Sequence, residues 1–150
     1  MNIRTATDDD VTAITLKGLQ FVSNLKTAVA ATHESVERSV AALIHNPESV
    51  VLVSTTDDGD VVGFLIGVLT PMWFSDEDWS AVELAWWVDP SHRGFTGARL
   101  VHAFEEWAAS HHVSRVVMSD IELRNGATPA GPLVERLGYH LHERAFIKDL

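Results

Sequence analysis

The segment Val82 to Leu100, V-E-L-A-W-W-V-D-P-S-H-R-G-F-T-G-A-R-L, holds the residues whose types and order point most clearly to chemistry. A β-rich run ends at Asp89-Pro90, glycines follow at Gly94 and Gly97, and a helical pattern begins there. Strand, glycine turn and helix start together make an anion site. The first amides of a helix have no partner inside it and point outward. The helix dipole adds roughly half a positive charge at that end. Glycine lets the backbone come close to a phosphate. The same two glycines would equally serve a plain tight turn from strand to helix, and the residue types alone leave both open. A P-loop is excluded, because it needs G-x-x-x-x-G-K-[ST] and no lysine follows Gly97. The dinucleotide fingerprint G-x-G-x-x-G is also absent.

The chain that must position this segment has 150 residues, enough for one domain over residues 1–150. A hydrophobic fraction of 46% and a charged fraction of 21% are those of an ordinary globular chain. There is no cysteine, which rules out a disulfide framework, a thiolate metal site and a cysteine nucleophile. The start, Met1-Asn2-Ile3-Arg4-Thr5, shows no basic region followed by an apolar run. The apolar stretch Val61 to Leu69 falls short of the ~18 residues that a membrane span needs. A cytoplasmic protein with no membrane partner is the expectation. The net charge of −10 disfavours nucleic acid, whose phosphates it repels. It could draw in a cationic amine, or simply keep the surface solvated.

The elements follow from hydrophobic period and breakers. Asn2 to Ala6 reads as a first strand, and Thr7-Asp8-Asp9-Asp10 supplies helix-start chemistry. Val11, Ile14, Phe21 and Val22 lie on one face of a first helix, with Gly18 on that same face. Thr32-His33-Glu34-Ser35 only approximates a capping box, since the acid falls one place early. Val36, Val40, Leu43 and Ile44 mark a second helix, stopped at Asn46-Pro47. Ser49–Thr55 and Val61–Thr70 predict a hairpin around Asp58-Gly59. Pro71 to Ser80 reads as an aromatic and acidic loop, and Ala81 to Asp89 as a third long strand. A helix from about Gly97 to His111, a strand at Val113–Met118, a short helix at Pro132–Leu137 and a last strand or strand pair at Tyr139–Lys148 complete the chain. The expected order is β-α-α-β-β-β-α-β-α-β. That is an α/β (α+β) domain, a mixed sheet of six or seven strands with four helices on both faces.

Against this frame, V-D-P-x-x-R-G-x-x-G-A-x-L resembles motif A of the GNAT acetyltransferases. In that family an [QR]-x-x-G-x-[GA] loop binds the pyrophosphate of coenzyme A through its amides. Arg93, Gly94, Phe95, Thr96, Gly97 and Ala98 match by position, with Thr96 where the family usually has glycine. The opening I-R-x-A-T before Asp8 and the late E-R-L-G-Y at Glu135–Tyr139 are similar to family signatures, and the element order is the family's.

The resemblance implies acetyl-CoA as acyl donor, no metal, and direct transfer to a primary amine in a ternary complex. It implies a bulged strand before the loop that parts from its neighbour to admit the pantetheine arm. Val88 would then pair with a pantetheine amide. Trp86 would point its N–H at the thioester oxygen, with Trp87 beside it. Glu83, ten residues before Arg93, matches the catalytic glutamate of the family's histone-acetylating branch. Burial would raise its pKa toward a base's useful range; a strand-end carboxylate facing water is the alternative. Asn125 lies near the place of a coenzyme-contacting asparagine. The tyrosine that protonates the leaving thiolate in many relatives is replaced by Val134, and Tyr139, the one tyrosine, is expected to pack.

Several points stay open at this level. The loop Pro71–Ser80 could frame a cationic amine or form a lid or dimer contact, and a homodimer is compatible with the family. His111-His112 and His140-x-His142 lack metal-site spacing, and no metal is expected. A non-catalytic acyl-CoA-binding regulatory module is the alternative to the enzyme.

Overall fold

The run Val50-Val51-Leu52-Val53 shows how the molecule is layered. Successive strand residues point to opposite faces, and all four are buried. Val50 and Leu52 join one apolar cluster, with Leu100, Val101, Phe104 and Ala108. Val51 and Val53 join another, with Ile14, Val40, Phe64 and Ile66. A strand buried on both faces needs helices on both faces. The computed structural model describes residues 1–150 and has this three-layer form.

The sheet has five strands in the order β1-β2-β3-β4-β5. They are β1 (Asn2–Thr5), β2 (Ser49–Thr55), β3 (Val61–Met72), β4 (Ser75–Val88) and β5 (Arg115–Val117). The first four pair antiparallel, and β5 lies parallel to β4. Helices α1 (Val11–Ser23) and α2 (His33–His45) cover one face. Helix α3 (Phe95–Ser110) covers the other and makes the β4-to-β5 crossover. Helix α4 (Gly131–Arg136) follows β5. No helix is long and apolar enough to cross a membrane.

The sheet departs from the sequence expectation in two places. The aromatic and acidic stretch after Pro71 is strand, not loop: β3 and β4 form one long hairpin that turns at Trp73-Phe74. Pro71 is tolerated because the register shifts between Pro71 and Met72, and a bulge needs no donor there. The expected last strand at Tyr139–Lys148 is absent, so the sheet has five strands rather than six or seven and the order ends at α4. Every residue from 140 to 150 is exposed. This stretch gains no apolar burial to offset the cost of ordering it.

Two local expectations are met by other atoms. The α2 capping box closes with Ser35 in place of an acid: Ser35 N donates to Thr32 Oγ1 and Thr32 N donates to Ser35 Oγ, both at 3.1 Å. Gly18 sits where α1 presses on α2, its missing Cβ leaving room for Val36.

Helix α1 is fixed at three points. Arg4 on β1 donates to both carboxylate oxygens of buried Asp10, at 2.7 and 2.8 Å. Lys17 Nζ meets Asp89 Oδ2 at 2.6 Å, reaching the end of β4. Beyond the last turn, Leu25 bridges Leu123 and Arg124 N donates to Asn24 O, which ties the helix end to the segment after β5.

The Arg4 guanidinium holds the Asp10 carboxyl down at about 2, from an ordinary 3.8. A carboxyl with a lowered folded pKa contributes fully above its unfolded pKa and loses that contribution as pH falls toward the folded one. The window here is therefore pH 4 to 2, and the contribution at neutral pH is about 2 kcal/mol. Asp10→Asn is expected to lower Tm by about 3–8 °C at pH 7, with the gap to wild type closing below pH 3 in thermal melts.

Candidate functional site

Strand β4 has a neighbour on both sides for only part of its length. It pairs with β5 at Ser80–Val82 against Arg115–Val117, and the two strands then separate. From Glu83 to Val88 only β3 lies beside it. The register against β3 shifts here as well: Ile66 faces Ala85 and Gly67 faces Glu83, so Leu84 is an extra, unpaired residue. A bulge of this kind bends a strand and re-aims its side chains. Asp89 N donates to Val62 O, which places Asp89 and Trp87 in bonded pairs with β3. By alternation, the backbone groups of Trp86 and Val88 turn to the open edge.

The start of α3 lies just past the end of this edge. Gly94 precedes the helix with φ 104°, a conformation that side chains resist. No side chain caps the helix, and the amides of Gly94, Phe95, Thr96 and Gly97 have no hydrogen-bond acceptor within the protein. Thr96 and Gly97 are buried while Phe95 is exposed. The helix packs this closely because Gly97 has no Cβ; an added one would come within 2.9 Å of the Trp86 ring. Four free amides thus converge at the positive end of a 16-residue helix, an arrangement that favours negative charge.

Glu83 stands where β4 and β5 part. It is 4% exposed, and its one hydrogen bond is accepted from Ser119 N at 3.1 Å. No cation faces it. Burial pushes its carboxyl up to about 7, and the Ser119 hydrogen bond opposes the rise. The water-facing alternative is thus excluded for this residue. Ser119 left no sign in the sequence, because its main contribution is a backbone amide that any residue but proline could supply, its side chain adding in the same direction.

Three neighbours complete the edge. Trp86 packs on the α3 face, and its indole Nε1 is buried with no partner. A buried unpaired donor calls for an explanation, commonly an absent ligand or water. Trp87 points to the opposite face and donates to Asp89 Oδ1 at 3.1 Å. Arg93 folds back onto the strand: its Nε donates to Val88 O at 3.1 Å, and its guanidinium lies 5.2 Å from the Trp87 ring centroid. The side chain of Arg93 therefore braces the loop against β4, occupying one lone pair of the Val88 carbonyl.

Asn125 stands apart from this group. It is exposed, its Oδ1 accepts from Ala127 N at 3.0 Å within a turn, and no hydrogen bond joins it to residues 93–98. Val134 is buried in α4. Tyr139 packs on the α3 side; burial pushes its hydroxyl above its ordinary pKa of 10, and donation to Glu105 Oε1 at 2.8 Å pushes it higher.

Two cavities flank the edge. A shallow one of about 450 Å³ runs along the outer side of α3 from Phe95 past Arg99 and His102 to Leu137. A second, of about 310 Å³, lies between α1 and α2 and opens at Leu84 and Ala85. The exposed pair Trp73 and Phe74, with centroids 5.6 Å apart, caps the hairpin tip. At ~3.3 Å per residue it is about 30 Å along β4 from Glu83.

A three-layer α/β domain with a splayed strand pair beside an uncapped helix start defines a class, and the comparisons give it a family. The sequence matches the acetyltransferase (GNAT) family over residues 20–139. The chain belongs to that family, whose general activity is acyl transfer to amines. An acetyltransferase from Trypanosoma brucei has the same fold at TM-score 0.71 and 22% identity, covering 99% of each chain. A ribosomal-protein-alanine N-acetyltransferase from Brucella melitensis superposes at 0.75 with 14% identity over 100% of both chains. An aminoglycoside 6'-N-acetyltransferase from Acinetobacter baumannii does so at 0.71 with 17% identity, over 99% of this chain and 98% of its own. No functionally curated protein matches the sequence.

Glu83 should leave a trace in stability. Its folded pKa lies above the ordinary 4.5, so the folded state holds a proton that the unfolded chain releases between about pH 4.5 and 7. Stability therefore falls as pH rises through that window, by up to about 3 kcal/mol for a shift of this size. Glu83→Gln keeps an acceptor for Ser119 N and removes the charge. The variant is expected to melt several degrees above wild type at pH 8 and within a degree or two of it at pH 4.5.

Proposed function

We propose that the protein transfers an acetyl group from acetyl-CoA to a primary amine by direct attack, with Glu83 as general base. The buried, cation-free carboxyl at the parting of β4 and β5 carries this reading. The free amides of Gly94 to Gly97 would take the diphosphate. The open backbone at Trp86 and Val88 would pair with the pantetheine arm, and the groove from Phe95 to Leu137 has room for the nucleotide end. Asn125 has no part in this assignment. Such a protein works where acetyl-CoA is made, which fits a cytoplasmic location.

The chemistry balances with few groups. Glu83 takes a proton from the amine, directly or through one water. The freed nitrogen forms a bond to the thioester carbon, and negative charge collects on the carbonyl oxygen. We assign the unpaired Trp86 N–H as the donor to that charge, and such a donor is worth roughly 10²–10³ in rate. The C–S bond then breaks as nitrogen gives up its second proton to solvent, the thiolate takes a proton from water, since Val134 offers none, and Glu83 returns its proton to solvent. A carboxyl with pKa near 7 is half ionised at neutral pH, where general-base catalysis is most effective.

Steady-state kinetics test the assignment. Glu83→Gln is expected to lower kcat by roughly 10²–10⁴ with little change in the KM for acetyl-CoA. Wild-type kcat/KM for the amine should fall on the acid side through two ionisations, the amine's own and one near 7. The variant should retain only the amine's. A turnover number within about threefold of wild type would remove Glu83 from the role.

A further inference from the structure

The cavity between α1 and α2 differs from every other surface near the reacting edge. The chain carries 21 acidic and 11 basic residues, yet none of the thirteen residues lining this cavity is ionisable and ten are hydrophobic. Its walls are Ile14 and Phe21 from α1, Val36 from α2 and Phe64 from β3, and it opens at Leu84 and Ala85. The hydroxyl protons at its rim are already used: Ser35 Oγ donates to Thr32 O, and Ser39 Oγ donates to Ser35 O. With no ionisable lining residue and only hydroxyl lone pairs at the rim, a charged group entering here would lose more hydration than it regains.

The mouth of the cavity adjoins the chemistry. Leu84 is the bulged residue, 49% exposed, immediately after Glu83 in the chain. The bulge turns Leu84 and Ala85 toward the α1 and α2 side, while Glu83 and Trp86 face α3. A molecule with its nitrogen at Glu83 can pass over the free edge of β4 and lay its remainder in the cavity. The aromatic and acidic hairpin tip, about 30 Å away along the strand, cannot serve the same nitrogen. The volume of about 310 Å³ is at the small end of ligand sites, roughly 300–1,000 Å³, and suits one benzyl- or hexyl-sized group.

We infer that the acceptor is a monoamine bearing an uncharged apolar group, held between α1 and α2 with its nitrogen at the β4 bulge. This rests on the transferase assignment for its reaction, but not for its binding. Apolar burial sets the expected trend: kcat/KM should rise roughly three- to fourfold per methylene from propylamine to hexylamine. Phenethylamine should exceed spermidine and Nα-acetyl-lysine at least tenfold. Ala85→Leu and Ser39→Phe, one in the wall and one on the exposed rim, should each flatten the chain-length slope. Binding is followed separately by saturation-transfer NMR of phenethylamine with the coenzyme A-saturated protein.

The outcomes separate the two claims. Phenethylamine binding that Ser39→Phe abolishes, with no coenzyme A release from any amine, would keep the apolar site and overturn the transferase. Efficient turnover of spermidine with a flat alkylamine series would keep the transferase and overturn the apolar site. A flat amine series with hexanoyl-CoA preferred over acetyl-CoA would assign the cavity to the donor's acyl chain, also overturning the inference. Neither binding nor turnover of phenethylamine or hexylamine would overturn it outright.

Discussion

A helix cannot satisfy its own first amides, and in this protein nothing else in the chain does so for α3. The 16-residue helix starts at Phe95 with no cap, behind a glycine whose φ of 104° points the chain into the turn. The start of α2, by contrast, is served from within, where Thr32 and Ser35 exchange hydrogen bonds. The unserved start of α3 is nonetheless seated on the sheet, with Thr96 and Gly97 buried and Trp86 beneath. The fold thus holds four donors rigidly at the end of an open strand edge.

The second constraint is the early parting of β4 and β5. A parallel pair that ends after three residues leaves backbone groups of β4 without a strand partner. The bulge at Leu84 adds to this by placing Glu83 on the α3 side and Leu84 and Ala85 on the other. One irregular strand therefore serves three surfaces: a backbone edge, a buried acid and an apolar cavity. The three ties on α1 matter in this light, because α1 forms one wall of that cavity.

What the sequence disclosed follows physical lines. Gly94 and Gly97 after an apolar strand disclosed the α3 start, since backbone needs there select residue type directly. The alternation and helical stripes disclosed the three layers, because burial periodicity survives in composition. The last strand did not follow from Tyr139–Lys148, as β propensity forms a strand only where an edge and a burying face exist. The hairpin at Trp73-Phe74 looked like loop because its polar and aromatic residues are paired by backbone alone. Asn125 was carried over by resemblance and lies in a turn of its own. Ser119 and the cavity were illegible for opposite reasons: an amide has no residue type, and Phe21 and Val36 look like any core stripe until both helices are placed on the sheet.

Binding calorimetry on the diphosphate is the most direct test of the α3 start as an anion site. Coenzyme A, 4′-phosphopantetheine and pantetheine share the arm and differ in what reaches Gly94 to Gly97. The account predicts micromolar binding of coenzyme A, with pantetheine at least tenfold weaker. Equal affinity for coenzyme A and pantetheine, or no heat from coenzyme A at millimolar concentration, would contradict it.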